Sequence, residues 1–267
     1  MNQPLSFSRQ GRVILPLPGG PMFKPFAWIA VIFLIPALFG GCVNSQHLSA
    51  AGDLYSAATI SNDEIIALCK QMREQGDKAN KVAAAKDKYA VRLARLTNRF
   101  KKEDGLDLNF KVYLTTDVNA NATADGSVRV YSGLMDLMTD NELIFVIGHE
   151  IGHVAGGDSL DKVRVAYASS GAIKAASASG KAGAALSSTQ LGDLLNAVIN
   201  AQFSQNQESE ADAYGYKLMK KYKLDTKAGV SALQKLGGGG TELLSSHPGS
   251  ADRAKAIQAM IDADKKK

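Results

Sequence analysis

The sequence predicts an α+β fold, mainly helical, with a small β-sheet set beside one buried helix. Three observations carry that expectation. Helix-start signatures precede apolar-periodic runs, two short β-rich segments lie close together near the middle, and Ile144, Phe145, Val146 and Ile147 form an apolar run typical of a buried helix.

Taken in order, the chain opens with a leader. Arg9, Arg12 and Lys24 form a basic flank ahead of the apolar stretch Phe26–Phe39, which ends in Gly40-Gly41-Cys42. This pattern is that of an exported protein's signal peptide at 1–41, too short for a comfortable membrane span. The tail Leu38-Phe39-Gly40-Gly41-Cys42 resembles a bacterial lipobox, which makes Cys42 the lipidated first residue of the mature chain and anchors it to a membrane. Met22 opens a complete leader by itself and is the expected translation start. Val43 after the cysteine, where inner-membrane retention is associated with aspartate, implies the outer membrane, facing the periplasm. Residues 42–60, rich in Gly, Ser and Ala, form a tether, and residues 61–267 one domain.

Within that domain Ser61 and Glu64 make a capping box ahead of Ile65, Ile66 and Leu68, which starts a first helix. A second helix is expected over about 78–102, with Val82, Ala85, Tyr89, Leu93, Leu96 and Phe100 at helical spacing. Asn109–Thr115 and Ser127–Tyr131 are the β-rich runs, separated by a turn-prone stretch, Asn119–Gly126. Thr139 and Glu142 cap the buried helix, which ends near Gly156-Gly157. The Ala/Ser/Gly-rich stretch Ala166–Thr189 suits either a helical hairpin or a flap. A long helix from about Gln190 to Tyr222, a shorter one near 226–236, the glycine run Gly237–Gly240, the loop around His247-Pro248 and a closing helix over 250–264 complete the chain.

Charge excludes one class of function. The net charge of +5 falls to +2 once the three basic leader residues are removed, since no acidic residue precedes Cys42. A balance that small does not steer a polyanion, so no nucleic-acid partner is expected. If Cys42 is lipidated, Cys69 has no partner for an intramolecular disulfide and is expected as a buried apolar residue on a helix.

The chemistry lies in His149-Glu150-Ile151-Gly152-His153. On a helix the two histidines are four apart and project from one face, where both can take one metal ion; Glu150 points aside, where a carboxylate can reach an activated water without binding the metal. That is the division of labour for metal-assisted hydrolysis, with zinc the expected ion at one per chain. A chance match is expected in well under roughly one chain in a hundred of this length. A third ligand is needed, and the segment FSQNQESEADAYGY offers candidates. Glu208 and Asp212 share a face, whereas Glu210 lies about 200° from Glu208 around the helix. With Glu208 on the metal, Asp212 can accept the free ring N–H of a ligand histidine.

HEIGH, the Glu208–Asp212 pair, and His247-Pro248 followed by Arg253 together resemble the gluzincin peptidases of the HtpX and CAAX prenyl protease family, and within it the bacterial lipoprotein branch. KVYLTTDVNA, VRVYSGLMDLMTDNE and QFSQNQESEADAYGY extend the likeness over most of the mature chain. The resemblance implies a gluzincin-type zinc metallopeptidase domain with His149, His153 and Glu208 as ligands, Glu150 as general base, and Asp212 and Arg253 as supports behind them. It gives His247 a place near the metal, either stabilising an oxyanion or plugging the open position, and gives Asn119 a contact with substrate. It also implies protein or peptide substrates, misfolded envelope or outer-membrane proteins among them, cleaved as quality control. A competing expectation from the same residues is a chaperone-like zinc scaffold whose hydrolysis is largely switched off by His247. The chain departs from that branch at Ser127, where the resemblance implies a cysteine able to pair with position 69; the departure bears on a disulfide and leaves catalysis untouched.

Overall fold

The computed structural model describes residues 60–170, 186–237 and 242–266. The expected leader, Cys42 and the tether up to residue 59 lie outside the described residues, as do 171–185 of the Ala/Ser/Gly-rich stretch and 238–241 of the glycine run.

Helix α1 (Asn62–Ala79) starts at the expected capping box, in which Glu64 accepts from Ser61 N at 2.8 Å and Ser61 Oγ accepts from Glu64 N at 3.2 Å. Helix α2 (Lys88–Thr97) is shorter than the 78–102 that apolar spacing predicts. Residues between the two helices give their backbone to the sheet instead: Val82 bridges Tyr113, Ala83 N donates to Val112 O and Leu114 N to Lys81 O. Asp87 then restarts the helix by accepting from Tyr89 N.

A 3₁₀ turn (Asn98–Phe100) and a short hairpin, β1 (Lys102–Glu103) with β2 (Leu106–Asp107), lead into a three-stranded sheet. The two predicted β-runs are its β3 (Asn109–Tyr113) and β5 (Ser127–Tyr131), paired in parallel with Asn109 opposite Ser127. The turn-prone stretch 119–126 is not all turn: β4 (Ala120–Ala122) lies within it, antiparallel to β5, giving the order β3-β5-β4. Only Thr123–Gly126 turns, with Gly126 at φ 80°, a left-handed conformation that glycine adopts without strain. β4 therefore forms an edge of the sheet.

The helices that follow are α3 (Ser132–Leu137), α4 (Asp140–Ala155), α5 (Asp158–Ser169), α6 (Ser188–Asn200), α7 (Gln205–Lys221), α8 (Lys227–Gly237), α9 (Glu242–Ser246) and α10 (Ser250–Asp264). The single helix expected from Gln190 to Tyr222 is two. Capping boxes at Ser187/Gln190 and Ser204/Gln207 start α6 and α7 separately, and Phe203 N, between them, donates to Ser246 O at 3.2 Å. A repeated S-x-x-Q was the sequence signal for that break.

Two hydrophobic clusters hold these elements. The larger joins α4 (Leu143, Phe145, Ile147) to Val128 and Val130 of the sheet, Met219 of α7, Leu233 of α8 and Ile257 of α10. The smaller joins Ile65, Cys69 and Met72 of α1 to Val163 of α5 and Leu191, Leu194 and Val198 of α6. Cys69 is free and buried, and burial pushes its thiol up to about 12. Ser127 Oγ donates to Asp125 instead of facing a disulfide partner.

Helices α4 and α7 meet almost backbone to backbone. A Cβ on Gly152 would lie 2.9 Å from Ala211 Cα, and one on Gly148 would lie 3.0 Å from Gly215 Cα. Small residues on both helices let the axes approach closely enough for a side chain of α7 to reach between side chains of α4.

Candidate metal centre

Four buried side chains converge at that crossing. His149 and His153 come from α4, Glu208 from the first turn of α7, and His247 from the residue just after α9; one ligand atom from each lies within 4.8 Å of all the others. The spacing of the two helical histidines does what periodicity requires, and their Nε2 atoms are 3.0 Å apart. Glu208 Oε1 lies 3.4 Å from His153 Nε2 and 2.8 Å from His247 Nδ1, which in turn is 3.1 Å from His149 Nε2.

The chemistry of this set fits a metal. Asp212 Oδ1 lies 2.9 Å from His149 Nδ1 and Asp158 Oδ2 lies 2.8 Å from His153 Nδ1. An ionised carboxylate can only accept, so each Nδ1 carries the proton and each neutral ring presents a bare Nε2 lone pair. Two such lone pairs 3.0 Å apart repel each other unless a shared proton or a metal ion sits between them. Three nitrogens and one carboxylate oxygen form a donor set suited to zinc, for which tetrahedral bonds of roughly 2.0–2.1 Å place donors about 3.3 Å apart.

The electrostatics favour the neutral rings of His149 and His247 and the ionised form of Glu208, and they pull His153 the other way. Burial pushes His149 and His247 down to about 4, against the carboxylates that pull the other way. His153 moves upward: burial opposes the shift, but hydrogen bonds to Asp158 and Glu208 outweigh it. Burial also opposes the lowering of Glu208, which the partnership with His153 and His247 brings about. Arg253, from α10, clamps Asp212 through two bonds of 2.7 Å, pairs with Glu208 Oε2 and reaches the carbonyl of His247 at 3.4 Å.

Glu150 is buried beside the cluster and belongs to no ligand pair. Its Oε1 has no hydrogen-bond partner among the described residues; the nearest cation-capable atom is His247 Nε2 at 3.6 Å. Burial raises its pKa above the usual carboxylate value, so it is a stronger base than a solvated glutamate.

The structure brings His149, Glu150, His153, Glu208, Asp212, His247 and Arg253 together, and Asn119 makes none of the contacts of that cluster described above. That residue is buried just ahead of edge strand β4, its carbonyl accepting from Tyr131 N and its side chain from Ala120 N. Three neighbours had not been singled out in the sequence. Asp158 follows Gly157, whose φ of 82° turns the chain so that the next residue faces back to His153. An acid just past the Gly156-Gly157 stop was its only signal. Phe203 stacks on His153 at 3.7 Å between ring centroids, and Lys162 Nζ lies 3.6 Å above the other partner ring, that of Phe203. Neither carries a local signal, because both reach the site through tertiary packing.

Comparison with known proteins agrees with this geometry. Residues 57–261 match the model of peptidase family M48. Two proteins of Escherichia coli (strain K12) are similar over nearly their whole lengths. Metalloprotease YcaL is 41% identical over 240 residues, covering 86% of this chain and 94% of the relative. Metalloprotease LoiP is 36% identical over 244 residues, covering 88% and 97%. A protease HtpX homolog of Sulfurovum sp. (strain NBC37-1) is 29% identical over 150 residues, covering 52% of this chain and 50% of that one.

Proposed function

This chain belongs to peptidase family M48 and is a zinc-dependent metalloprotease acting on protein or peptide substrates; from that premise we propose the following assignment of roles. His149, His153 and Glu208 hold the zinc ion, Glu150 is the general base, and Asp212 and Asp158 orient the two helical histidines. When bound, zinc supplies Lewis-acid polarisation of the scissile carbonyl and acidifies a water. Glu150 takes the proton of the attacking water and delivers it to the leaving nitrogen. Arg253 keeps Asp212 ionised and aligned, so that His149 retains its Nδ1 proton and its donor orientation.

The observation that carries this assignment is the unpaired Oε1 of Glu150 beside a converging His149/His153/Glu208 set. An extended substrate backbone can add to the free edge of β4, next to α4, with Asn119 at its start. Glu150→Gln preserves volume and removes the base. It is expected to retain zinc and to lose casein cleavage by about 10²–10⁴-fold, the usual weight of a positioned proton acceptor. Wild-type cleavage by a zinc-loaded Glu150→Gln protein would sink the assignment.

The position of His247 favours a second mode for the same protein. Its Nδ1 is the fourth donor of the cluster, and a catalytic zinc normally keeps that position open. A chain held in this closed form acts as a zinc-bearing scaffold or chaperone-like protein. Rescue of cell-envelope function by Glu150→Gln supports that mode, and loss of function in that variant speaks for hydrolysis.

The leader pattern supports the cellular setting: a chain lipidated at Cys42, anchored in the bacterial envelope, most consistent with the outer membrane facing the periplasm, and acting in quality control of envelope proteins. No helix among the described residues is long and apolar enough to cross a membrane. Labelling with a fatty-acid analogue and its loss in Cys42→Ala tests that setting.

A further inference from the structure

The net charge of residues 42–267, +2, hides an asymmetry. Residues 78–102 hold nine basic side chains and one acidic, Asp87, so that stretch carries +8 and the rest of 42–267 carries −6. A division of that kind suits a chain that meets an anionic surface. Its centre is α2, whose Lys88, Arg92 and Arg95 follow at helical spacing on one face, continued by Arg99 in the 3₁₀ turn and by Lys101 and Lys102. Asp140 pairs with Arg92 and Arg95, and Asp107 with Lys102. Lys88, Arg99 and Lys101, all exposed, stand in no ion pair among the described residues.

Apolar surface borders the charge. Val91, 54% exposed, lies beside the stripe. Past it, Ala90 and Ala94 of α2 and Phe110 of β3 line a groove of about 390 Å³, with Lys101 and Lys111 also in its wall. A duplex backbone in water calls for charge alone. A phospholipid surface sets phosphates over an apolar layer and matches both halves of this face.

The face lies at the end of the domain remote from the metal. Arg92 and Arg95 hold Asp140, the first residue of α4, nine residues before His149. Tyr222, just past α7 and fourteen residues beyond Glu208, donates to Arg99 O at 3.2 Å. At 1.5 Å per residue these spacings put roughly 13 and 21 Å of helix between the basic face and the ligands. Helix α2 also packs on β3, the outer strand opposite β4.

We propose that this face docks on the phosphate headgroups of an anionic phospholipid membrane, with Val91 reaching the apolar boundary, and so turns the metal centre and the β4 edge toward the aqueous side. Charge complementarity selects the partner; the use of that orientation rests on the peptidase reading and membrane setting above. A lipid anchor holds a chain at a membrane, and the face decides which side of the domain looks down. Each basic side chain at such a surface is worth about a fivefold change in partition.

The test uses the full-length protein with a fluorescent amino acid in place of Val91 or, as a reference, of Glu210, exposed at the Glu208 end of α7. Vesicles of phosphatidylglycerol or of phosphatidylcholine carry an energy acceptor among their headgroups. Transfer from residue 91 is expected to be greater on phosphatidylglycerol by about twofold or more, and greater there than transfer from residue 210. Molar salt, which shortens the screening length to roughly 3 Å, is expected to remove the excess. Lys88→Gln/Arg99→Gln/Lys101→Gln breaks no ion pair among the described residues. It is expected to lower the ratio of docked to undocked protein by about tenfold or more, with casein cleavage in solution unchanged. Equal transfer from residue 91 on the two vesicles overturns the proposal, as does docking that the triple variant retains. Transfer from residue 210 equal to that from residue 91 overturns the orientation. Binding of a DNA duplex that the triple variant loses, with no preference between vesicles, would make the face a nucleic-acid site and overturn the lipid assignment. Failure to associate with phosphatidylcholine vesicles removes the anchor, and the phosphatidylglycerol comparison then reads binding by the face itself. A protein that docks and cleaves nothing keeps the face and removes the peptidase assignment, so the readings fail separately.

Discussion

The two hydrophobic clusters meet at the metal centre and contribute to it in different ways. The larger one supplies the donors: α4 and α7 cross with no side chain between Gly152 and Ala211, so His149, His153 and Glu208 are fixed by backbone contact. The smaller one, built from α1, α5 and α6, supplies what surrounds them: Asp158 and Lys162 on α5 and a cavity against α6. A Cβ on Gly192 of α6 would have no atom within 4 Å and one on Gly76 of α1 would lie 2.6 Å from the Leu195 side chain, whereas those on Gly148, Gly152 and Gly215 would all meet backbone. The contrast teaches that ligand geometry is set where an added methyl group would strike backbone, and that the surroundings are built where it would meet a side chain or open space.

The largest test of that contrast is Gly152→Val. It forces α4 away from α7 and is expected to cost several kcal/mol, in the manner of a severe overpacking, with loss of bound zinc; urea melts and metal content measure both. Next come the two carboxylates behind the ligands. Asp212→Asn and Asp158→Asn are each expected to weaken zinc about 10–100-fold by competition with a chelating dye. Asp212→Asn should be the worse, because it also leaves Arg253 buried with a weakened partner. Equal losses from the two would remove the distinction between frame and surroundings.

A smaller effect is expected from acid. Glu142, at the start of α4, is held down to about 2: burial opposes the shift, and Lys235, Ser231 and Thr139 outweigh it. A carboxyl lowered in the fold stabilises above its ordinary value of 4.5 and loses that contribution as pH falls toward 2. Glu142→Gln should therefore flatten the melting-temperature profile over that window. Glu64→Gln, which alters the same capping motif at an exposed site on α1, should change it less. Smallest of all is Gly192→Ala, which is expected to stabilise by about 0.5–1 kcal/mol, since the space is open and helix propensity favours alanine. Destabilisation there would show that the α6 side is packed as tightly as the α4–α7 crossing.

What the sequence made legible follows the range of the interaction. His149, Glu150 and His153 are set by one turn of helix, and the Ser61/Glu64 and Thr139/Glu142 boxes by three residues, so they were readable directly. Glu208 and Asp212 were readable as one face of a helix, and the family likeness was needed to prefer Glu208 over Glu210. Apolar periodicity failed where a cap or a strand pairing competes with it. It ran α2 back through the Val82 bridge and fused α6 with α7 across Phe203. Asp158, Lys162 and Phe203 reach the centre from separate elements, and no local pattern marks a contact made only by packing.

The charges gathered around the centre have a consequence of their own. Glu150, Glu208, Asp212 and Asp158 set four carboxyl groups close together, while Arg253 and Lys162, the latter lowered by burial to about 8, bring two basic groups. Acidic groups therefore outnumber basic ones around the three histidines, and a bound divalent cation offsets that excess in a water-poor interior, where residual charge is poorly screened.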